Sequence, residues 1–214
     1  MEPVGRLCAI VDVEVAQRAA WSPSDLATAY LNGGARFLQL RAKSLSGSAF
    51  LDLASHICAL ANAAGAMLIV NDRADIARLS GAHGVHVGQE DLSPLAVRTI
   101  VGTEAMVGLS THTEPQIESA LQQPIDYIAI GPVFGTATKS TGYSAVGIER
   151  VRFVVARASR RQPRPLPVVA IGGITLDSAA DVIAAGATSV AVITDLLVTG
   201  DPETRTRAYL ARLA

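Results

Sequence analysis

The chain has 214 residues, half of them hydrophobic and 17% charged, with a formal net charge of −1. That is enough chain for one domain with a substantial core, and so even a charge balance argues against a nucleic-acid-binding surface. No apolar run approaches a membrane span and the N-terminus lacks the apolar core of a signal peptide, so a cytoplasmic protein away from membranes is expected.

Short apolar runs recur in chain order: LCAIV (7–11), FLQL (37–40), MLIV (67–70), GVHV (84–87), MVGL (106–109), YIAI (127–130), VVAI (168–171) and SVAVI (189–193). Each reads as a buried strand. Between them lie helical patterns with recognisable starts and stops. Ser22-Pro23 opens a helix over 23–33, closed by Gly33-Gly34. Ser46 to Ala64 forms a long helix ending at Gly65, and Asp72 to Leu79 and Ser93-Pro94 to Ile100 form shorter ones. Thr113 is an N-cap candidate, Gly147 to Arg160 is amphipathic, and Thr175 to Ala185 ends at Gly186. Asp201-Pro202 starts a last helix. The Pro-rich stretch RRQPRPLP (160–167) is a connection within the domain, because the alternation resumes after it. Cys8 and Cys58 read as reduced core residues, not as a disulfide or metal pair.

Alternating helices and non-alternating apolar strands imply a parallel sheet covered by helices. Eight such units over 1–214 fit a single-domain α/β fold, the (β/α)8 TIM barrel, at the small end of its range. The competing architecture is an open doubly wound sheet, but no GxGxxG or GxxxxGK[ST] follows any strand. In a barrel, functional groups follow the C-terminal ends of the strands. Strand 2 ends in Gln39-Leu40-Arg41-Ala42-Lys43, where alternation puts Gln39, Arg41 and Lys43 on one side. Strand 3 ends in Asn71-Asp72-Arg73, and strand 4 gives His86 and then Gly88-Gln89-Glu90-Asp91. Strand 5 ends in Ser110-Thr111-His112. Strand 6 runs into GPVFGTATKSTG (131–142), which offers hydroxyls, glycines and Lys139 but no carboxylate. Such a loop suits an oxyanion, or is simply a polar surface loop. Strand 7 ends in Gly172-Gly173 and strand 8 in Ile193-Thr194-Asp195.

The glycines after strand 7 and the N–H groups after strand 8 occupy the phosphate position of this fold. Arg41, Lys43 and Lys139 are more cations than one such monophosphate needs, which suggests a second anion, a diphosphate. Asp72 and Asp91 follow adjacent strands and could share Mg²⁺. Each has a plainer reading, as a helix N-cap and as a helix N-terminal charge respectively. The oxygen-rich set argues against zinc. His86 is expected to face the barrel interior in a structural role, whereas His112 could carry a proton or be an ordinary loop histidine. The inventory is rich in anion binders and poor in an evident base, which suits departure of a diphosphate.

In this order and spacing QLRAK, NDR, GVHVGQEDL, GLSTHT, DYIAIGPVFGTATK and VVAIGGI resemble the thiamine-phosphate synthase family, over about 37–195. The resemblance implies a (β/α)8 barrel that joins a hydroxymethylpyrimidine diphosphate to a thiazole phosphate, releasing diphosphate. It assigns Gln39, Arg41, Lys43, Asn71, Ser110 and Lys139 to the pyrimidine diphosphate, with Leu40 and Ala42 among the substrate-binding residues, and Asp72 and Asp91 to Mg²⁺. Thr136, Ala137 and Thr138 would contact the thiazole phosphate, and Gly173, Ile193 and Thr194 would cradle its phosphate. Arg41, Lys43 and Lys139 would stabilise the leaving diphosphate. Position 194 usually carries serine in the family, and threonine keeps the hydroxyl. The first strand, LCAIVD, lacks the aromatic residue usual there. A related thiazole tautomerase, using His112, is the alternative. A non-catalytic sensor would be expected to have lost anion or metal ligands, and this chain keeps them. Both substrates are small molecules, and the chain could pair as a homodimer.

Overall fold

The computed structural model describes residues 4–135 and 142–214. Eight parallel strands close into a barrel in sequence order. They are β1 (Leu7–Asp12), β2 (Phe37–Arg41), β3 (Met67–Asn71), β4 (Gly84–Val87), β5 (Met106–Thr111), β6 (Tyr127–Ile130), β7 (Val168–Ile171) and β8 (Ser189–Val192). Helices on the outside are α1 (Val13–Arg18), α2 (Pro23–Asn32), α3 (Gly47–Ala63), α4 (Ala74–Ser80), α5 (Pro94–Val101), α6 (Glu114–Leu121), α7 (Gly147–Ala158), α8 (Leu176–Ala184) and α9 (Pro202–Leu213). A 3₁₀ turn, Thr194–Leu196, follows β8.

The helix starts are chemically plain. Ser22, Ser46, Ser93, Thr113, Thr175 and Asp201 each accept a backbone N–H of the first turn from their side chains, satisfying donors that would otherwise be orphaned. Two expectations are corrected. The sequence predicted no helix at 13–18, because VDVEV alternates apolar and polar residues with the period of a strand. Asp12 instead caps Val15 N–H at 3.0 Å, and burial of Val13, Val15 and Ala16 completes a short helix. The helix expected to open at Asp72 starts at Ala74. The Asp72 N–H donates to His86 O at 2.7 Å, prolonging the β3–β4 ladder, and its φ is +64°.

Alternation along the strands divides the core in two. Leu38, Leu40, Leu68, Val70, Val85, Val107 and Ile128 face the helices. Cys8, Ile10, Phe37, Ile69, Met106, Tyr127, Val169 and Ala191 fill the barrel interior. Both cysteines are buried and neither is in a disulfide, as expected. Gly108 makes one interior contact possible, since a Cβ there would lie 2.0 Å from Tyr127 Cζ. Gly108→Ala should therefore cost about 2–3 kcal/mol of stability by overpacking, read as a lower urea midpoint at unchanged slope.

Candidate active site

A cavity of about 750 Å³ opens at the C-terminal ends of the strands. Gln39, Arg41, Lys43, Asn71, Asp72, Asp91, Ser110, Gly173, Ile193 and Thr194 all line it, so residues spread over 155 positions of sequence meet at one place. Leu40 and Ala42 pack outward among the helices, which leaves only their backbone for the cavity side. Thr136, Ala137, Thr138 and Lys139 lie outside the described residues.

The floor is a hydrogen-bonded polar layer. His86 bonds through Nδ1 to the Tyr127 hydroxyl at 2.9 Å and through Nε2 to Ser110 Oγ at 2.8 Å. Whichever nitrogen holds the proton, the other accepts from a hydroxyl. Gln39 also interacts with the Tyr127 hydroxyl, and burial holds that phenol well above its ordinary pKa, so it stays neutral. His86 thus faces the interior as expected, and it is 8% exposed. His112 donates from Nδ1 to Gly131 O at 2.5 Å and stacks on Tyr143 with ring centroids 4.0 Å apart.

One wall carries the charges. Lys43 Nζ lies 3.2 Å from Asp72 Oδ2, and Arg41 Nη1 lies 2.6 Å from Asp12 Oδ2. The plainer reading of Asp72 as a helix N-cap does not hold. Asp72 lies outside α4, whose N-cap residue is Arg73. Asp91 accepts Gly88 N–H at 2.7 Å, while Ser93 caps α5. Burial, and then the nearby Asp91 carboxylate, push the Asp72 carboxyl above its ordinary pKa against the pull of Lys43. Two carboxylates that repel each other in a polar cleft fit a hard divalent cation such as Mg²⁺, which keeps waters and substrate oxygens as its other ligands. No cluster of three or more His, Cys, Asp or Glu side chains suited to a metal occurs among the described residues, so the protein would supply only this pair.

The opposite wall is a cup of backbone. Gly172 and Gly173 have φ of +100° and +64°, and a Cβ on Gly173 would lie 2.5 Å from Gly135 O. Phe134 N–H donates to Gly172 O at 2.9 Å, tying the loop after β6 to β7. Beside it the turn after β8 is braced by Asp195, whose Oδ2 accepts from Tyr209 Oη (2.5 Å), Arg205 Nη2 (2.8 Å) and Leu176 N (3.2 Å). Asp12, Tyr127 and the bracing role of Asp195 were not anticipated from the sequence. Asp12 carries the same signal as the residues that were expected there, a polar side chain at the C-terminal end of a strand.

Fold and cavity together define a (β/α)8-barrel protein whose cavity at the C-terminal ends of the strands is lined by cations, carboxylates and glycines. A family model described as thiamine monophosphate synthase matches residues 7–196. The chain is 44% identical over 209 residues to a thiamine-phosphate synthase from Koribacter versatilis, covering 96% of this chain and 94% of that one. It is 40% identical over 202 residues to one from Chlorobium phaeobacteroides, covering 94% and 93%. The solved thiamine phosphate pyrophosphorylase from Pyrococcus furiosus superposes with a TM-score of 0.85 at 25% identity, covering 97% and 95%. The chain belongs to the thiamine monophosphate synthase family, which makes it a transferase of thiamine biosynthesis. The tautomerase alternative finds no support in these matches.

The strained carboxylate makes a test. A carboxyl with a raised pKa destabilises the fold when ionised, so the penalty is absent below its unfolded pKa and grows as pH rises through the folded one. Asp72→Asn removes that charge, and asparagine tolerates positive φ. In EDTA at pH 7.5 the variant should melt above the parent, with the gap closing as pH falls through the carboxylate range. Added Mg²⁺ should raise the parent's melting temperature and leave the variant's unchanged.

Proposed function

We propose that the chain joins a hydroxymethylpyrimidine diphosphate to a thiazole phosphate, giving thiamine phosphate and diphosphate. The observation that carries this reading is the pairing of two unlike anion sites across one cavity. Arg41 and Lys43 stand beside the Asp72–Asp91 pair on one wall, and the glycine cup with Ile193–Thr194 forms the other. The first suits a highly charged diphosphate bound by side chains. The second suits a monophosphate bound by backbone.

In this reading Gln39, Asn71 and Ser110 orient the pyrimidine above the hydrogen-bonded His86–Tyr127 floor. Arg41 and Lys43 hold the diphosphate, joined by Lys139 on the strength of the family resemblance. The C–O bond to the pyrimidine methylene breaks with its electron pair leaving on diphosphate, and the electron-rich aminopyrimidine carries the positive charge. The thiazole nitrogen then donates its lone pair to that carbon. It has no proton to lose, so no enzymatic base is needed. Asp72 and Asp91 would hold Mg²⁺, which supplies positive charge beside the leaving group. Thr136 and Thr138 belong to the thiazole phosphate side of the proposal. Within the described residues, Gly172 and Gly173 press against 132–135 and seat the base of that loop, which supports water exclusion over the site. The proposal places the enzyme in the cytoplasm, where cysteines outside disulfides, such as Cys8 and Cys58, persist reduced, and allows a homodimer.

The deciding assay supplies both precursors with Mg²⁺ and follows thiamine phosphate and diphosphate together. Equal amounts of the two, abolished by EDTA and restored by Mg²⁺, are expected. Binding of both precursors without product would overturn the transferase mechanism. Gly173→Val should raise KM for the thiazole phosphate at least tenfold by filling the cup. A selective loss of pyrimidine affinity would mean that the two anion sites are exchanged.

A further inference from the structure

Arg41 lines the cavity, yet it is not a free side chain awaiting an anion. Its Nη1 donates to Asp12 Oδ2 at 2.6 Å, and Asp12 is 2% exposed. The other oxygen of Asp12 accepts Val15 N–H at 3.0 Å as the cap of α1. The carboxylate is therefore fixed at both ends, by a helix on one side and a guanidinium on the other. Glu14 lies on the same turn. Its Oε2 is 3.6 Å from Arg41 Nη1, and its Oε1 accepts the backbone N–H of Ser44 at 2.9 Å. This second contact ties the segment after β2 to the turn after β1. Glu14 Oε2 is itself buried and has no hydrogen-bond partner among the described residues.

We propose that Asp12 is the positioning residue for Arg41, fixing the guanidinium toward the cavity through the shorter of its two carboxylate contacts. The inference rests on the reading of Arg41 as a diphosphate ligand. A long arginine side chain loses considerable rotamer freedom on binding an anion. Anchoring one Nη to a buried carboxylate removes much of that cost beforehand, while the remaining N–H donors stay available. Without Asp12, the nearest acceptor for the guanidinium is the unbonded Glu14 Oε2. Glu14 would then compete with the diphosphate for the same donors. A contrary electrostatic effect exists, because removing a carboxylate near an anion site relieves repulsion. The two effects have opposite signs, so an experiment separates them.

Asp12→Asn is the informative variant, since asparagine caps helices as well as aspartate does. The measurement is calorimetric affinity for inorganic diphosphate with Mg²⁺, for the parent, D12N, R41M and the double variant. The expected result is a roughly two- to tenfold loss of affinity in D12N, the scale of ordering one long side chain. No further loss should occur when D12N is added to R41M, because Asp12 acts only through Arg41. Melting temperatures of parent and D12N should agree within a few degrees. Tighter diphosphate binding in D12N, or the same loss with and without Arg41, would overturn the inference. In the transfer assay D12N should affect the kinetics of the pyrimidine diphosphate and leave KM for the thiazole phosphate unchanged. If the parent binds diphosphate but forms no product, the transferase reading fails while the binding cycle still decides the role of Asp12.

Discussion

Closure of eight parallel strands into one ring is the constraint on which the site depends. Closure sends every second side chain into a narrow interior that must be filled, and the filling is layered. Phe37, Ile69, Met106 and Tyr127 are among the side chains that fill that interior. The register then places Asn71 beside His86 and Ser110 beside Ala129 at the upper level. That level meets water on one side only, so polar groups there are satisfied by each other or by whatever enters the cavity. The hydrogen bonds from His86 to Tyr127 and Ser110 join the apolar plug below to the reacting surface above. Gly108 gives up its side chain so that the Tyr127 ring can occupy that space.

Two cations on one wall are held with very different firmness. Arg41 is 16% exposed and its partner Asp12 2%, whereas Lys43 is 57% exposed against 21% for Asp72. A pair of charges near 4 Å apart interacts by about 4 kcal/mol at an effective dielectric of 20 and by about 1 kcal/mol in water. The first pair therefore sets a geometry, and the second is exchangeable. A site that binds and releases a highly charged group benefits from both. One cation is already in place and the other can follow the phosphate. At Asp72 burial comes first in pushing the carboxyl up, the Asp91 carboxylate adds to that, and the opposing cation is solvated.

The strands were readable because a parallel strand buried on both faces must be apolar throughout, and the breaks in that pattern fall at its ends. Six helix starts were readable from side chains that accept the first-turn N–H groups. What escaped was set by tertiary contact. VDVEV has a strand's alternation, and only the cap by Asp12 together with burial against the barrel makes it helical. The Arg41–Asp12 bond joins residues 29 apart, on neighbouring strands, and no local pattern marks it. The Asp195 brace is similar, since its partners come from α8 and α9. Residue types at the strand ends announced an anion site. Their pairing needed the register.

Local rules fail together in one short stretch, at the end of β3. Asp72 takes a left-handed backbone, the N-cap residue that follows, Arg73, makes no side-chain cap bond, and a second carboxylate faces the first. Ala20 is the other described non-glycine residue with positive φ, at +59°. It sits in an exposed turn after α1, where geometry alone accounts for it. At Asp72 backbone geometry, capping and electrostatics each give up stability, and the ladder bond from its N–H to His86 O holds the strain in place. Concentrated inconsistency of this kind, in a chain otherwise locally consistent, supports the proposed ligand role of this position. A cation between Asp72 and Asp91 would relieve the electrostatic part at once, leaving Lys43 free to meet the diphosphate.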